Sequence, residues 1–262
     1  MIKEMHTNNP ITSESQPDGN SVPIIDPYEG CNLGCPYCFR LSNEKWADNI
    51  IVYTNIADML DEALLSWQGD EIEEIYLGSL GDPYMSIEKD YELTRKCLKV
   101  LDKHHIPTMI TTKSDNELIL RDMDILKNFS SDITVLMGIS HMRQLNNAYN
   151  GLENKNIVLA NKLHRMGINV QAFITPIMPH IVPVEDMIKQ LDTDNPICVD
   201  LLRIEKGTIQ AECVKKHIAH HYPHLIKEYD SIIDDGNLEY YYELKERYKN
   251  DKRIVFLHYS DA

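Results

Sequence analysis

Positive charge is what this sequence most lacks. Lys and Arg number 26 against 41 Asp and Glu, which leaves a formal net charge of -15 over 262 residues. A field of that sign repels phosphate backbones, so broad non-specific binding to nucleic acid is disfavoured and only a local basic groove could support it. Long apolar runs are also missing, since no stretch approaches the roughly 18 residues that a membrane span needs. The first twenty residues carry no apolar core of the kind found in a secretion signal, which points to the cytoplasm. No internal repeat is visible. Cysteine is sparse, six in all, yet three fall within eight positions, at Cys31, Cys35 and Cys38. That crowding is wrong for a disulfide framework and right for metal ligation in a reducing compartment.

Residues 1–20 are rich in Asn, Ser, Pro and Gly with little apolar periodicity, and are expected to form a poorly ordered or surface-draped lead outside the core. From there on, short β-rich runs alternate with amphipathic ones. Strands are predicted over 22–26, 74–77, 108–112, 133–139, 169–174 and 197–202. Helices are predicted over 56–66, 88–104, 118–129, 154–166 and 184–191, with Gly167 ending the fourth. Strand and helix repeated about six times with short connections argue for an α/β fold of parallel strands. The expected architecture over residues 21–207 is a partial (β/α)6 barrel, an open TIM-like barrel, with its chemistry at the carboxyl ends of the strands. Residues 208–262 read as a helical C-terminal extension packing on that barrel and closing on a strand-like 254–257.

The string Asp26-Pro27-Tyr28-Glu29-Gly30-Cys31-Asn32-Leu33-Gly34-Cys35-Pro36-Tyr37-Cys38 follows the first predicted barrel strand directly. Three thiolates on one Gly-containing loop can ligate three irons of a cubane and leave the fourth iron open. Structural zinc is the competing reading. It usually asks for four ligands in paired knuckles, and no fourth ligand is suitably spaced nearby.

This Cys-x3-Cys-x2-Cys pattern with an aromatic before the last cysteine resembles the signature of the radical S-adenosylmethionine (SAM) superfamily. Further strings narrow the likeness: Gly81-Asp82-Pro83-Tyr84, Glu88-Lys89, Leu93-Thr94-Arg95, Thr111-Thr112-Lys113-Ser114, Arg121-Asp122, Ile139-Ser140 and Thr175-Pro176-Ile177-Met178-Pro179. They are similar to the spore photoproduct lyase-like branch and span roughly residues 23–191. The resemblance implies a [4Fe-4S] cluster on Cys31, Cys35 and Cys38, with SAM chelating the open iron and Tyr37 lying against the adenine. It implies that Asp82, beside Ser79, accepts hydrogen bonds from the SAM ammonium, that Lys113 pairs with the SAM carboxylate, and that Ser140 binds the carboxylate or a ribose hydroxyl. Read on its own, Asp82 is a turn-initiating residue ahead of Pro83, and Lys113 an exposed lysine at a strand end.

The implied activity is reductive cleavage of SAM to a 5′-deoxyadenosyl radical that abstracts a hydrogen atom from a peptide or small molecule. A flavodoxin or ferredoxin would supply the electron. Aminocarboxypropyl transfer from SAM, repair of spore photoproduct in DNA, and a non-catalytic metal-binding module are the alternatives. Repair is disfavoured because Gly78-Ser79-Leu80-Gly81-Asp82 holds no cysteine where the lyases carry their hydrogen donor. Elsewhere, Cys213, His217, His220 and His221 lie at helical spacing and read as a solvated face before they read as a second metal site. Cys213 is the spare thiol to consider near a substrate. Of Tyr240, Tyr241 and Tyr242, at least one should enter the core. Cys97 and Cys198 are expected to be packing residues.

Overall fold

A strand that buries one face places every second residue on it. Ile75 and Leu77, Ile110, Val135 and Met137, Val170, Ala172 and Ile174, and Ile197 and Val199 are all fully buried in this alternation. Their neighbours Tyr76, Met109, Thr111, Leu136, Gln171, Phe173 and Cys198 are only half-buried. The sheet therefore has a sealed face and an open one. The computed structural model from which this is read describes residues 1–15, 21–43, 46–143 and 153–257.

The N-terminal strands are β1 (Ile2–Met5), β2 (Thr12–Ser15), β3 (Ser21–Ile25), β4 (Tyr28–Glu29) and β5 (Ile50–Tyr53). The alternating region follows: α1 (Ile56–Leu65), β6 (Ile75–Leu77), α2 (Glu88–Tyr91), α3 (Leu93–Lys103), β7 (Thr108–Thr112) and α4 (Met123–Leu126). It continues with β8 (Ile133–Gly138), α5 (Lys155–Arg165), β9 (Asn169–Ile174), α6 (Val184–Gln190) and β10 (Ile197–Val199). The chain ends with α7 (Ile209–His221), α8 (Ile226–Asp234), α9 (Glu239–Tyr248) and β11 (Ile254–Phe256).

The main sheet runs β11-β10-β9-β8-β7-β6-β3-β2, and β3 through β10 in this order are parallel. That is the expected partial barrel, left open at both edges among the described residues. No helix among them is long and apolar enough to cross a membrane. The six expected strands all form, those at 108–112 and 169–174 with the expected bounds.

Two expectations need correction. Residues 1–15 are not a loose lead: β1 pairs in parallel with β5, and β2 pairs antiparallel with β3. All four residues of β1 are exposed, so backbone hydrogen bonds hold it, and a reading based on apolar periodicity does not detect such a strand. Residues 16–20 of the lead and 258–262 of the C-terminal extension lie outside the described residues. The extension also does more than pack on the barrel, because β11 joins the sheet beside β10.

The second correction concerns 88–104, expected as one helix. It breaks at Glu92, whose φ is 53°. The cause is Glu88, fully buried, whose carboxylate accepts hydrogen bonds from the amides of Thr94 (3.0 Å) and Arg95 (3.2 Å) in the first turn of α3. Those amides have no partner within a helix that starts there, so a buried carboxylate stabilises the restart. Glu88 also receives the hydroxyl of Tyr28 and the guanidinium of Arg121. Asp122, equally buried, accepts from Arg95 (2.9 Å), Arg121 (2.9 Å) and the Tyr84 hydroxyl (3.1 Å). Glu88, Arg95 and Arg121-Asp122, read in the sequence as marks of a family likeness, are one buried ion network.

Removing one partner of such a network leaves uncompensated charge in the interior. Arg121→Leu should therefore cost about 3–5 kcal/mol in urea unfolding. Arg165→Leu, which breaks an exposed pair with Asp192, should cost far less, because solvent screens that pair. Equal losses would contradict the network's role.

Candidate active site

The loop that carries the three cysteines is anchored on both sides. Before it, the Asp26 carboxylate accepts the amides of Leu80 (3.0 Å) and Gly81 (3.1 Å), joining the end of β3 to the loop after β6. The Glu29 carboxylate accepts the Tyr53 hydroxyl at 2.6 Å, joining β4 to β5. Gly30, with φ +94°, passes so close to the carbonyls of Asn49 and Trp46 that a Cβ would lie 2.1 and 2.9 Å from them. A side chain there would push the loop off its seat. Cys31 then donates its amide to the Trp46 carbonyl (3.3 Å), and the Cys38 amide closes a turn on the Cys35 carbonyl (3.2 Å).

Cys31, Cys35 and Cys38 share the lining of a cavity of about 380 Å³ with Trp46 and, from α7, Cys213, His217, His220 and His221. Among the described residues no three His, Cys, Asp or Glu side chains converge tightly enough to hold a single ion. A cubane does not ask for that convergence, since each thiolate takes a different iron. Burial pushes the Cys31 thiol up to about 12, with the charge of Asp82 adding to it, and burial also raises Cys38. These thiols stay protonated until a metal supplies compensating positive charge. The indole Nε1 of Trp46 and the Nε2 of His217 are buried beside them without a hydrogen-bond partner. Three thiols and unpartnered nitrogen donors around one cavity suit an iron-sulfur cluster, whose sulfurs accept hydrogen bonds.

The residues expected to touch SAM divide into two groups. Tyr37, Lys113 and Ser140 come together: the Lys113 ammonium lies 5.2 Å from the Tyr37 ring centroid, and both Lys113 (3.4 Å) and the Ser140 hydroxyl (2.9 Å) donate to the Thr175 carbonyl. The ends of β7, β8 and β9 thus converge beside the cysteine loop. Gly138 leaves room for this, because a Cβ there would lie 2.5 Å from the Lys113 Cγ.

Asp82 belongs to the second group. Its carboxylate accepts the amides of Tyr84 (2.9 Å) and Lys113 (2.6 Å) and the hydroxyls of Thr112 (3.0 Å) and Ser114 (2.9 Å). Burial raises its pKa while these donors pull it down. With its lone pairs committed, Asp82 is a clamp between the loops after β6 and β7 and not an open acceptor for an ammonium. Ser79 lies half-buried in the same loop.

Sequence reasoning passed over two further residues. Asn156, fully buried in the first turn of α5, donates to the carbonyls of Lys113 (2.9 Å) and Gly138 (2.8 Å) and so joins the ends of β7 and β8. His141 donates from Nε2 to the Leu33 carbonyl (3.1 Å) inside the cysteine loop and accepts the Arg143 amide on Nδ1 (3.3 Å). Neither has a local signal beyond a polar residue just after a strand or at a helix start. The expectation of a solvated His face on α7 holds for His220 and His221, whereas His217 and Cys213 are half-buried over the cysteine loop. Tyr241 and Cys97 enter the core, but Cys198 is half-buried on the open face, its thiol donating to the side-chain Oε1 of Gln171 (3.3 Å).

Burial, with Lys113 and Arg143 adding to it, lowers His141 from the ordinary 6.5 to about 4. Between these values the unfolded chain binds the extra proton, so this group's contribution to stability is full above 6.5 and is lost as pH falls toward 4. The loss is about 3 kcal/mol. In unfolding curves at pH 7 and 4.5, His141→Gln should flatten the acid loss; an unchanged slope would show that His141 is not the group involved.

No family model matches the chain. An uncharacterised protein of Methanocaldococcus jannaschii is 33% identical over 174 residues, which is 63% of this chain and 64% of that protein, so the match spans less than two thirds of the relative. Spore photoproduct lyase complexed with dinucleoside spore photoproduct superposes over 85% of this chain and 66% of its own, with a TM-score of 0.56 and 15% identity. Streptococcus suis SuiB bound to precursor peptide SuiA superposes over 90% of this chain and 48% of its own, with a TM-score of 0.55 and 16% identity. SuiB has also been solved bound to SAM. The protein has the partial-barrel fold of spore photoproduct lyase and SuiB.

Proposed function

We propose that the protein is a radical SAM enzyme whose Cys31, Cys35 and Cys38 hold a [4Fe-4S] cluster, and whose substrate is a peptide or a small molecule. The observation that carries this reading is the convergence of Lys113 and Ser140 on the Thr175 carbonyl, with the Lys113 ammonium over the Tyr37 ring of the cysteine loop. A cluster held by these three cysteines would supply the one electron that reductive cleavage of SAM to methionine and the 5′-deoxyadenosyl radical requires.

The chain's own residues orient the SAM. Lys113 offers its ammonium to the carboxylate, and Tyr37 presents a half-buried ring to the adenine. Because the Ser140 hydroxyl donates to Thr175, its oxygen is left as an acceptor, which suits a ribose hydroxyl better than a carboxylate. Asp82 acts one step back by fixing the Lys113 backbone. Asn32, Gly34 and Phe39 expose the loop to solvent, where a flavodoxin or ferredoxin can approach. A peptide or small molecule is favoured over nucleic acid by the net charge of -15 and by the thiol-free loop at 78–82. SuiB, a neighbour in fold that has been solved bound to a precursor peptide, supports the peptide reading.

Anaerobic reconstitution should load about four irons per chain, and reduction with SAM should release 5′-deoxyadenosine. Release of 5′-methylthioadenosine would instead indicate aminocarboxypropyl transfer, and no SAM consumption a non-catalytic metal module. Alanine at any of the three cysteines should abolish both iron and cleavage. Lys113→Ala, and Gly138→Ala by displacing that lysine, should weaken SAM binding about ten- to a hundredfold with iron content intact. Unchanged affinity in both would place SAM elsewhere.

A further inference from the structure

Helix α7 is the second wall of the cluster cavity. Thr208 caps it through the Ala211 amide (3.2 Å), and Ala211, Val214 and Ile218 bury one face. Gln210 donates to the Phe39 carbonyl (2.8 Å), one residue beyond the last cysteine, which ties the helix over the loop. Cys213, His217 and His221 follow at steps of four, so they form the stripe turned to the cavity.

Trp46, only 7% exposed, lines the same cavity. An indole N–H can only donate, and a buried donor left without an acceptor is costly. Yet Trp46 Nε1 and His217 Nε2 are both buried and unpartnered, and both residues line the cavity that the three cysteines share. An acceptor bound in that cavity would satisfy both nitrogens, His217 in the tautomer that carries its proton on Nε2.

We propose that Trp46 and His217 are hydrogen-bond donors to the sulfurs of the [4Fe-4S] cluster and hold its reduction potential up. The inference rests on the cluster assignment made above and concerns the cluster's electronics. Three thiolates and the sulfides make the cluster anionic, and reduction adds one more negative charge. An N–H whose positive end points at a sulfur therefore stabilises the reduced state more than the oxidised one. Covering the loop with α7 works in the other direction, since removing water penalises the added charge. The two N–H groups offset that penalty. They are positioning residues and take no part in bond cleavage.

The test is an EPR-monitored redox titration of the reconstituted protein without SAM. Trp46→Phe keeps the ring and removes the donor; His217→Leu removes the imidazole. Each should lower the reduced-to-oxidised ratio at a fixed potential about tenfold, a downward shift of about 59 mV for one electron. His217→Gln, which keeps an N–H, should recover much of the shift. In wild-type protein labelled with ¹⁵N in its Trp and His side chains, pulsed EPR of the reduced cluster should show coupling to both kinds of nitrogen, a readout that does not depend on the variants loading iron. Absence of that coupling, or unchanged potentials in variants with full iron, would overturn the proposal while leaving the cluster assignment standing. Failure of the wild type to bind iron would instead overturn the assignment itself.

Discussion

The buried carboxylate of Asp82 is the constraint on which the site's geometry depends. It gathers two amides and two hydroxyls from the loops after β6 and β7, and one of those amides belongs to Lys113. Fixing that backbone atom aims the lysine side chain at Tyr37, with Gly138 leaving the room and Asn156 holding the carbonyl of the same residue. A carboxylate this deep is tolerated only because its donors are supplied by the fold, and the donors are placed only because the carboxylate holds them. The lysine is thus preorganised by groups that need not touch a ligand themselves.

The same device recurs. Asp26, Glu88 and Asp122 each accept backbone or guanidinium donors from loops on another strand or helix. In a chain with 41 acidic residues, several of the acids next to the barrel's active end are therefore internal fasteners. Some of the net negative charge is internal structure, and for these four side chains its role is to join neighbouring βα units.

This explains what could be read from the sequence and what could not. Strands 108–112 and 169–174 and the cysteine loop are local patterns, legible because alternation and spacing are written in adjacent residues. Asp82 was read as a turn residue or a ligand because three of its four donors come from 112–114, some thirty positions away, and no local string records them. Strand β1 escaped because it is held by backbone pairing with β5 and buries nothing. The stripe of Cys213, His217 and His221 was visible as a helical face, but what that face meets is decided by Gln210 reaching Phe39 across 171 residues.

The cysteine loop shows why such long-range contacts matter for chemistry. Left to itself, a short loop with three thiols would be solvated and the thiols close to their ordinary acidity. Here Trp46 and α7 share the lining of the cavity with the three cysteines, and burial raises Cys31 and Cys38. That burial opposes the thiolate form in the metal-free chain, and it would shield the proposed cluster from water once iron had displaced the protons. Acceptance of the metal and insulation of the metal are therefore consequences of one packing arrangement. Because α7 comes from the C-terminal extension, the partial barrel does not line this cavity alone: the helix beyond it contributes Cys213, His217, His220 and His221.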